Sequence, residues 1–251
     1  MDIKKSGGNP KRHSANDLKS YELVEQAFLK SKVGVFDKLE AFPRFSSKRS
    51  VARFLCKHEI FKNIIGTNGV IIECGVFNGA GLFTWAQLSN IYEPTNYTRK
   101  IIGFDSFEGF TSVSSNDKNK DKNPIVGDLK GAGLEEFTLS IEKYNRERHL
   151  AHIPNIELVK GDFLKTGQEY LKKNRHVLVS LLYLDFDLYE PTKKALDIFL
   201  PRMCKGSVIC FDQLNCPNFP GETTAMLESL NLKKHKLNRS SIDPWISWVV
   251  L

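Results

Sequence analysis

The stretch from Val70 to Gly81, Val-Ile-Ile-Glu-Cys-Gly-Val-Phe-Asn-Gly-Ala-Gly, leaves this chain little choice of architecture. Val70, Ile71 and Ile72 form a short β-branched run without polar alternation, the pattern of a strand covered on both faces of a parallel sheet. Gly75, Gly79 and Gly81 then permit a sharp turn and a close backbone approach to a ligand, and Leu82, Trp85, Ala86 and Leu88 continue at helical spacing. The reading is strand, glycine-rich turn, helix, a unit that binds its ligand at the carboxyl end of the strand.

The glycine spacing is not the dinucleotide fingerprint G-x-G-x-x-G, and no Gly-Lys-Ser/Thr follows to make a phosphate loop. Glu73 narrows the ligand further. A carboxylate just before the turn repels a pyrophosphate and suits a ligand carrying an ammonium or a sulfonium, the charge of S-adenosylmethionine. By themselves these residues leave open a methyltransferase and some other α/β nucleotide binder.

Downstream the unit repeats. Lys100 to Asp105 reads as a second strand ending in a carboxylate, where doubly wound folds hold the two ribose hydroxyls of a nucleotide, and Ser106 follows it. Ser112 to Lys130 is a long polar loop, expected to be a mobile lid rather than plain disorder. Leu134, Phe137, Ile141 and Tyr144 mark an amphipathic helix, with His149 and His152 read as surface residues beyond it. Ile156 to Lys160 gives a third strand, followed by Gly161, Asp162 and Phe163, which read either as the lining of an adenine pocket or as an ordinary turn.

His176 to Asp187 carries the most buried-looking strand and ends in Asp185-Phe186-Asp187; charges are rarely set at the end of such a strand without a partner or a ligand. Pro191 suits the first turn of the next helix, which must stop near Pro201. A fifth strand, Ser207 to Phe211, runs into Asp212-Gln213. Carboxylates thus finish the first, second, fourth and fifth strands at one rim. Asp187 has a second reading, as cap of the following helix. A helix over 225–230 and a closing strand pair over 235–237 and 245–251 complete the chain.

Ahead of this core, Leu18, Tyr21, Val24 and Phe28 recur at helical spacing, and a second helix capped by Ser46 or Ser47 carries Val51, Phe54, Leu55, His58 and Phe61, with His58 read as packing. The expected organisation is a disordered basic tail over 1–15, N-terminal helices over 16–66 and the core over 67–251, one domain overall. Of the net charge of +7, +5 sits in residues 1–50, so the rest of the chain presents no basic face for nucleic acid. Five cysteines without a C-x-x-C pair read as free thiols. The absence of a long apolar run or an apolar leader gives the expectation of a cytoplasmic protein without membrane association.

The ordered motifs Glu-Cys-Gly-Val-Phe-Asn-Gly-Ala-Gly at 73–81, Gly-Phe-Asp-Ser-Phe-Glu-Gly at 103–109, Leu-Asp-Phe-Asp-Leu-Tyr-Glu-Pro-Thr at 184–192, Pro-Arg-Met-Cys-Lys-Gly at 201–206 and Phe-Asp-Gln at 211–213 resemble those of the macrocin O-methyltransferase family. That resemblance implies an α/β, doubly wound Rossmann-like class I methyltransferase sheet with an N-terminal helical extension. It implies O-methylation, by S-adenosylmethionine, of a hydroxyl on a sugar, nucleotide sugar, glycan precursor or similar small molecule, with a homo-oligomer among the expected partners. Glu73 and Gly75 would hold the methionine portion, Asp105 with Ser106 the ribose, and Gly161, Asp162 and Phe163 the adenine. Asp185, Asp212 and Gln213 would hold magnesium or manganese, and Asp185 or Asp187 would take the proton. The family often has Asp-Asp where this chain has Asp212-Gln213; a hard cation accepts the amide oxygen. The competing readings are an N-, C- or phosphate-directed methyltransferase without metal and a catalytically silent nucleotide-binding protein.

Overall fold

The computed structural model describes residues 15–118 and 123–251. The basic tail expected over 1–15 lies outside the described residues except for Ala15, which opens the first helix. The chain divides into two compact units, Met1–Leu55 and Cys56–Leu251.

The first unit holds helices α1 (Ala15–Lys30), α2 (Val35–Glu40), α3 (Phe42–Phe45) and the start of α4 (Lys48–Lys62). Phe28 and Phe45 meet edge to face at 5.7 Å, and Lys38 donates to the Phe28 carbonyl at 2.8 Å. Of the two serines read as a cap, Ser47 serves α4: its Oγ accepts from Ser50 N at 3.0 Å.

In the second unit, β1 (Val70–Cys74), β2 (Ile101–Asp105), β3 (Ile156–Lys160), β4 (Val179–Leu184), β5 (Met203–Phe211), β6 (Asn238–Arg239) and β7 (Ser247–Val250) form one sheet in the order β3-β2-β1-β4-β5-β7-β6. β1 to β5 pair in parallel, and β7 returns antiparallel to β5. The helices α5 (Ala80–Tyr92), α6 (Glu136–Glu147), α7 (Phe163–Lys173), α8 (Tyr189–Phe199) and α9 (Pro220–Ser229) complete the doubly wound arrangement.

Both faces of the sheet are covered, which is why β1 and β4 are apolar almost throughout. Val70, Ile72, Cys74, Leu182, Leu184, Ile209 and Phe211 pack with Phe163, Leu196, Phe199 and Met226 of α7, α8 and α9. On the other face Ile71, Leu181, Tyr183, Val208 and Cys210 pack with Ile60, Phe61, Trp85 and Tyr144 of α4, α5 and α6. His58 is a packing residue: its ring stacks on Tyr92 at 5.6 Å, with Nε2 and the Tyr92 hydroxyl 2.6 Å apart.

Element ends move where tertiary pairing outweighs local pattern. β5 begins at Met203 rather than Ser207, and the two-residue β6 falls at 238–239 rather than 235–237 because Asn238 pairs with Trp248. α9 starts at Pro220, not 225, since proline's fixed φ suits a first helical turn. All five cysteines are free, four of them buried and Cys204 exposed. Among the described residues no helix is long and apolar enough to cross a membrane.

Candidate functional site

β2, β1, β4 and β5 are consecutive in the sheet, so their carboxyl ends set Asp105, Glu73, Asp185 and Asp212 side by side across one rim. The order turns about β1 and β4, whose divergent crossovers leave the crevice in which open α/β sheets bind ligands. Here the backbones come close: Asp185 N donates to the Cys74 carbonyl at 2.8 Å, and a Cβ on Gly75, whose φ is +93°, would run into the Asp185 carbonyl. Only glycine fits at that place.

Glu73 is 2% exposed, and its Oε2 has no hydrogen-bond partner among the described residues. Burial pushes its carboxyl up to about 8; the Lys57 ammonium works against this, and the charge of Asp185 adds to it. A buried acid in that state favours a cationic ligand, which would hold it ionised.

Asp105 organises the turn beside it. Oδ2 accepts from Val76 N at 2.7 Å and Phe77 N at 2.9 Å, and Oδ1 accepts from Phe107 N at 2.7 Å. Phe77 and Phe107 have φ of 53° and 58°, a left-handed conformation uncommon for a bulky residue, and the shared carboxylate helps to hold both. Ser106 Oγ donates to the Gly109 carbonyl at 2.6 Å. Gly161 N donates to the Asp105 carbonyl at 2.9 Å, bringing the ends of β2 and β3 together. Asp162 caps α7, accepting from Leu164 N at 3.1 Å. Phe163 is buried in the core against Phe104, Phe186 and Phe199, so its ring backs this end of the sheet.

On the other side, Asp187 is buried with φ 61°, and Asp212 is 2% exposed. The Tyr183 hydroxyl donates to Asp212 Oδ1 in a short hydrogen bond, and Lys57 Nζ donates to the Tyr183 hydroxyl at 3.0 Å. Gln213 N donates to Glu222 Oε1 at 3.1 Å. Glu222 is wholly buried, its Oε2 has no hydrogen-bond partner among the described residues, and burial pushes its carboxyl well above the usual carboxylate range, with Asp212, Asp185 and Asp187 adding to the shift. Among the described residues no three His, Cys, Asp or Glu side chains are gathered into a ready-made metal cluster.

The loop expected as a lid is tied down at several described points. Phe110 N donates to the Asp128 carbonyl at 3.0 Å, and Gly127 N to the Phe110 carbonyl at 2.9 Å. Asp117, 2% exposed, accepts from Ser114 N at 2.8 Å and from Tyr189 N at 2.6 Å. The first amide of α8 is therefore served by Asp117, from a distant loop.

Sequence reading missed Lys57, Tyr183 and Glu222. Tyr183 sits inside an apolar run, one residue ahead of the 184–192 motif, and Lys57 lies on a helix that precedes the core, so neither belongs to a motif. Glu222 had one visible signal, an acid directly after Pro220-Gly221 at the start of a helix.

The model of the macrocin-O-methyltransferase (TylF) family matches residues 49–243. No curated protein matches the chain. Among solved structures, CalS11, a calicheamicin methyltransferase, is 29% identical with a TM-score of 0.89, covering 95% of this chain and 94% of its own. The apo structure of CalS11, described as a TDP-rhamnose 3'-O-methyltransferase, is 27% identical with a TM-score of 0.82, covering 95% and 96%. The O-methyltransferase NovP, 18% identical with a TM-score of 0.58 over 80% and 79% of the two chains, shares the fold.

Proposed function

The chain belongs to the macrocin-O-methyltransferase family and is a methyltransferase, and from that premise we propose that it transfers the methyl group of S-adenosylmethionine to a hydroxyl of a sugar, most simply a deoxysugar carried on a nucleoside diphosphate. The observation that carries the reading is the row of acids on four consecutive strand ends, divided between a cofactor half and an acceptor half. Glu73 and Gly75 would receive the methionine portion, Asp105 and Ser106 the ribose, and Gly161, Asp162 and Phe163 the adenine edge. A sugar in the acceptor role suits a rim rich in hydrogen-bond acceptors, and the TDP-rhamnose 3'-O-methyltransferase CalS11 supports a nucleotide sugar.

In the reaction the acceptor oxygen forms a bond to the methyl carbon as the carbon–sulfur bond breaks, leaving S-adenosylhomocysteine. The hydroxyl proton passes to Asp185 or Asp187. The residues' main contribution is alignment of oxygen, carbon and sulfur.

Asp185, Asp212 and Gln213 are also the donors for a divalent cation. The set is oxygen-only, which suits magnesium or manganese, and the rim carries more acid than Lys57 balances, so the donor chemistry fits such an ion. Magnesium characteristically uses one or two carboxylates and keeps several waters, so it does not require a three-acid cluster. When bound, the ion would polarise the acceptor hydroxyl. The five free thiols agree with a cytoplasmic location, and the exposed Leu29, Val35, Phe36 and Leu39 of the N-terminal helices agree with a homo-oligomer.

The test is incubation with S-adenosylmethionine and a panel of TDP-deoxysugars, with and without EDTA, read by mass spectrometry. A gain of one methyl that EDTA abolishes and magnesium restores is expected. Full turnover in EDTA would remove the ion and keep the methyltransferase. Methylation of amines but not of sugars would replace the acceptor.

A further inference from the structure

Strand pairing sets Glu73 of β1 directly beside Tyr183 of β4, and Tyr183 beside Cys210 of β5. Because side chains alternate, Ile71 and Glu73, Leu181 and Tyr183, and Val208 and Cys210 share one face of the sheet, with Asp212 following at the same parity. That face is the one covered by α4 and α5. Lys57 of α4 reaches it. Its ammonium is 4.6 Å from the centre of the Tyr183 ring and 6.0 Å from that of Trp85, and the residue is only 5% exposed.

A lysine so deeply buried needs compensation, since desolvating an unpaired ammonium costs several kcal/mol. A hydrogen bond to the Tyr183 hydroxyl and the faces of the Tyr183 and Trp85 rings supply it here, and Glu73 adds an opposing charge once a cationic ligand holds it ionised. The phenol then spends its own proton on Asp212 Oδ1. One cation thereby touches both halves of the rim, the cofactor acid through space and the acceptor acid through a phenol.

We infer that Lys57 and Tyr183 are positioning residues of methyl transfer: the ammonium orients the Tyr183 hydroxyl, and the hydroxyl fixes Asp212 toward the acceptor. The inference rests on the place proposed for Asp212 in the acceptor half of the rim, as a donor to the cation that polarises the acceptor hydroxyl. It adds two residues that lie outside every motif of the sequence and makes α4 a working part of the site. It also gives the two residues unequal reach. Tyr183 acts on the acceptor side alone, whereas Lys57 acts on both.

The test compares Tyr183→Phe, Lys57→Met and the double variant with the parent, measuring kcat on the TDP-deoxysugar that the parent methylates and S-adenosylmethionine affinity by calorimetry. Tyr183→Phe keeps the ring against Trp85 and is expected to lower kcat by about 10- to 100-fold, the loss of a hydrogen bond to a charged group, with cofactor affinity within twofold of the parent. Lys57→Met is expected to lower both quantities. The double variant is expected to match Lys57→Met in kcat, because the two residues act in series. Multiplicative losses in the double variant, or a Tyr183→Phe enzyme with parental kcat, would overturn the relay; if Lys57→Met does not fold, Tyr183→Phe decides alone. A parent that methylates no sugar overturns the proposed function and the relay together, whereas an active parent with an equally active Tyr183→Phe overturns only the relay.

Discussion

Gly81 lies against the carboxylate of Glu73, so closely that a Cβ at position 81 would stand 2.5 Å from Oε2. The first turn of α5 thus roofs the buried acid, and the glycine is there because any larger residue would displace it. A Gly81→Ala chain must move either the helix or the carboxylate.

The pH dependence of cofactor binding follows from Glu73. Its carboxyl is raised to about 8 when folded, above its unfolded value, so between those limits the folded apo protein keeps a proton that the unfolded chain releases. Stability from this group is therefore full below the unfolded value and falls as pH rises toward 8. Glu73→Gln is expected to unfold at a higher temperature than the parent near pH 8.5. S-adenosylmethionine, which favours the ionised acid, is expected to release a proton on binding at pH 7. Calorimetry in two buffers of different ionisation enthalpy measures it, and identical heats would rule out the assignment.

Asp105 serves the turn as well as the ribose proposed for it. Removing it takes the acceptor from the amides of Val76, Phe77 and Phe107, two of which belong to left-handed residues. Asp105→Ala is expected to lower both the melting temperature and S-adenosylmethionine affinity, the latter by about 10- to 100-fold. Lost affinity at an unchanged melting temperature would assign the residue to the ligand alone. Unchanged affinity would remove it from the cofactor site.

Asp117 joins the 110–118 loop to the head of α8. Asp117→Ala leaves Ser114 N and Tyr189 N without that acceptor, at a cost of about 1 to 3 kcal/mol. Faster protease cleavage within 110–130 is expected, together with a lower kcat and parental cofactor affinity, because the helix so anchored follows Asp185 and Asp187. Parental cleavage kinetics would show that the loop's other ties hold it.

The parallel strands were legible because each signals itself locally: β-branched runs ending in acids or glycines give the strand, its burial and its rim from a few adjacent residues. β2 and β3 fall where that pattern places them, and the four acids reach one rim because every one of these strands points the same way. What the sequence could not show depends on contacts between distant segments. Tyr183 looks like one more apolar strand residue until Lys57 and Asp212 are brought to its hydroxyl from positions 126 and 29 residues away. The short β6 likewise has no pattern of its own and is placed by its partner, β7. Asp187 read equally as a helix cap, and only the fold reveals that Asp117 takes the Tyr189 amide.

The distribution of thiols has a practical consequence. Burial pushes the thiols of Cys56, Cys74 and Cys210 up, away from the reactive thiolate form, and Cys216 is buried as well. Cys204 alone is exposed, near the amino end of β5 and therefore at the opposite end of that strand from Asp212. A maleimide dye would attach there to the unmodified chain, giving a spectroscopic reporter of ligand binding that requires no engineered cysteine and leaves the acid rim untouched.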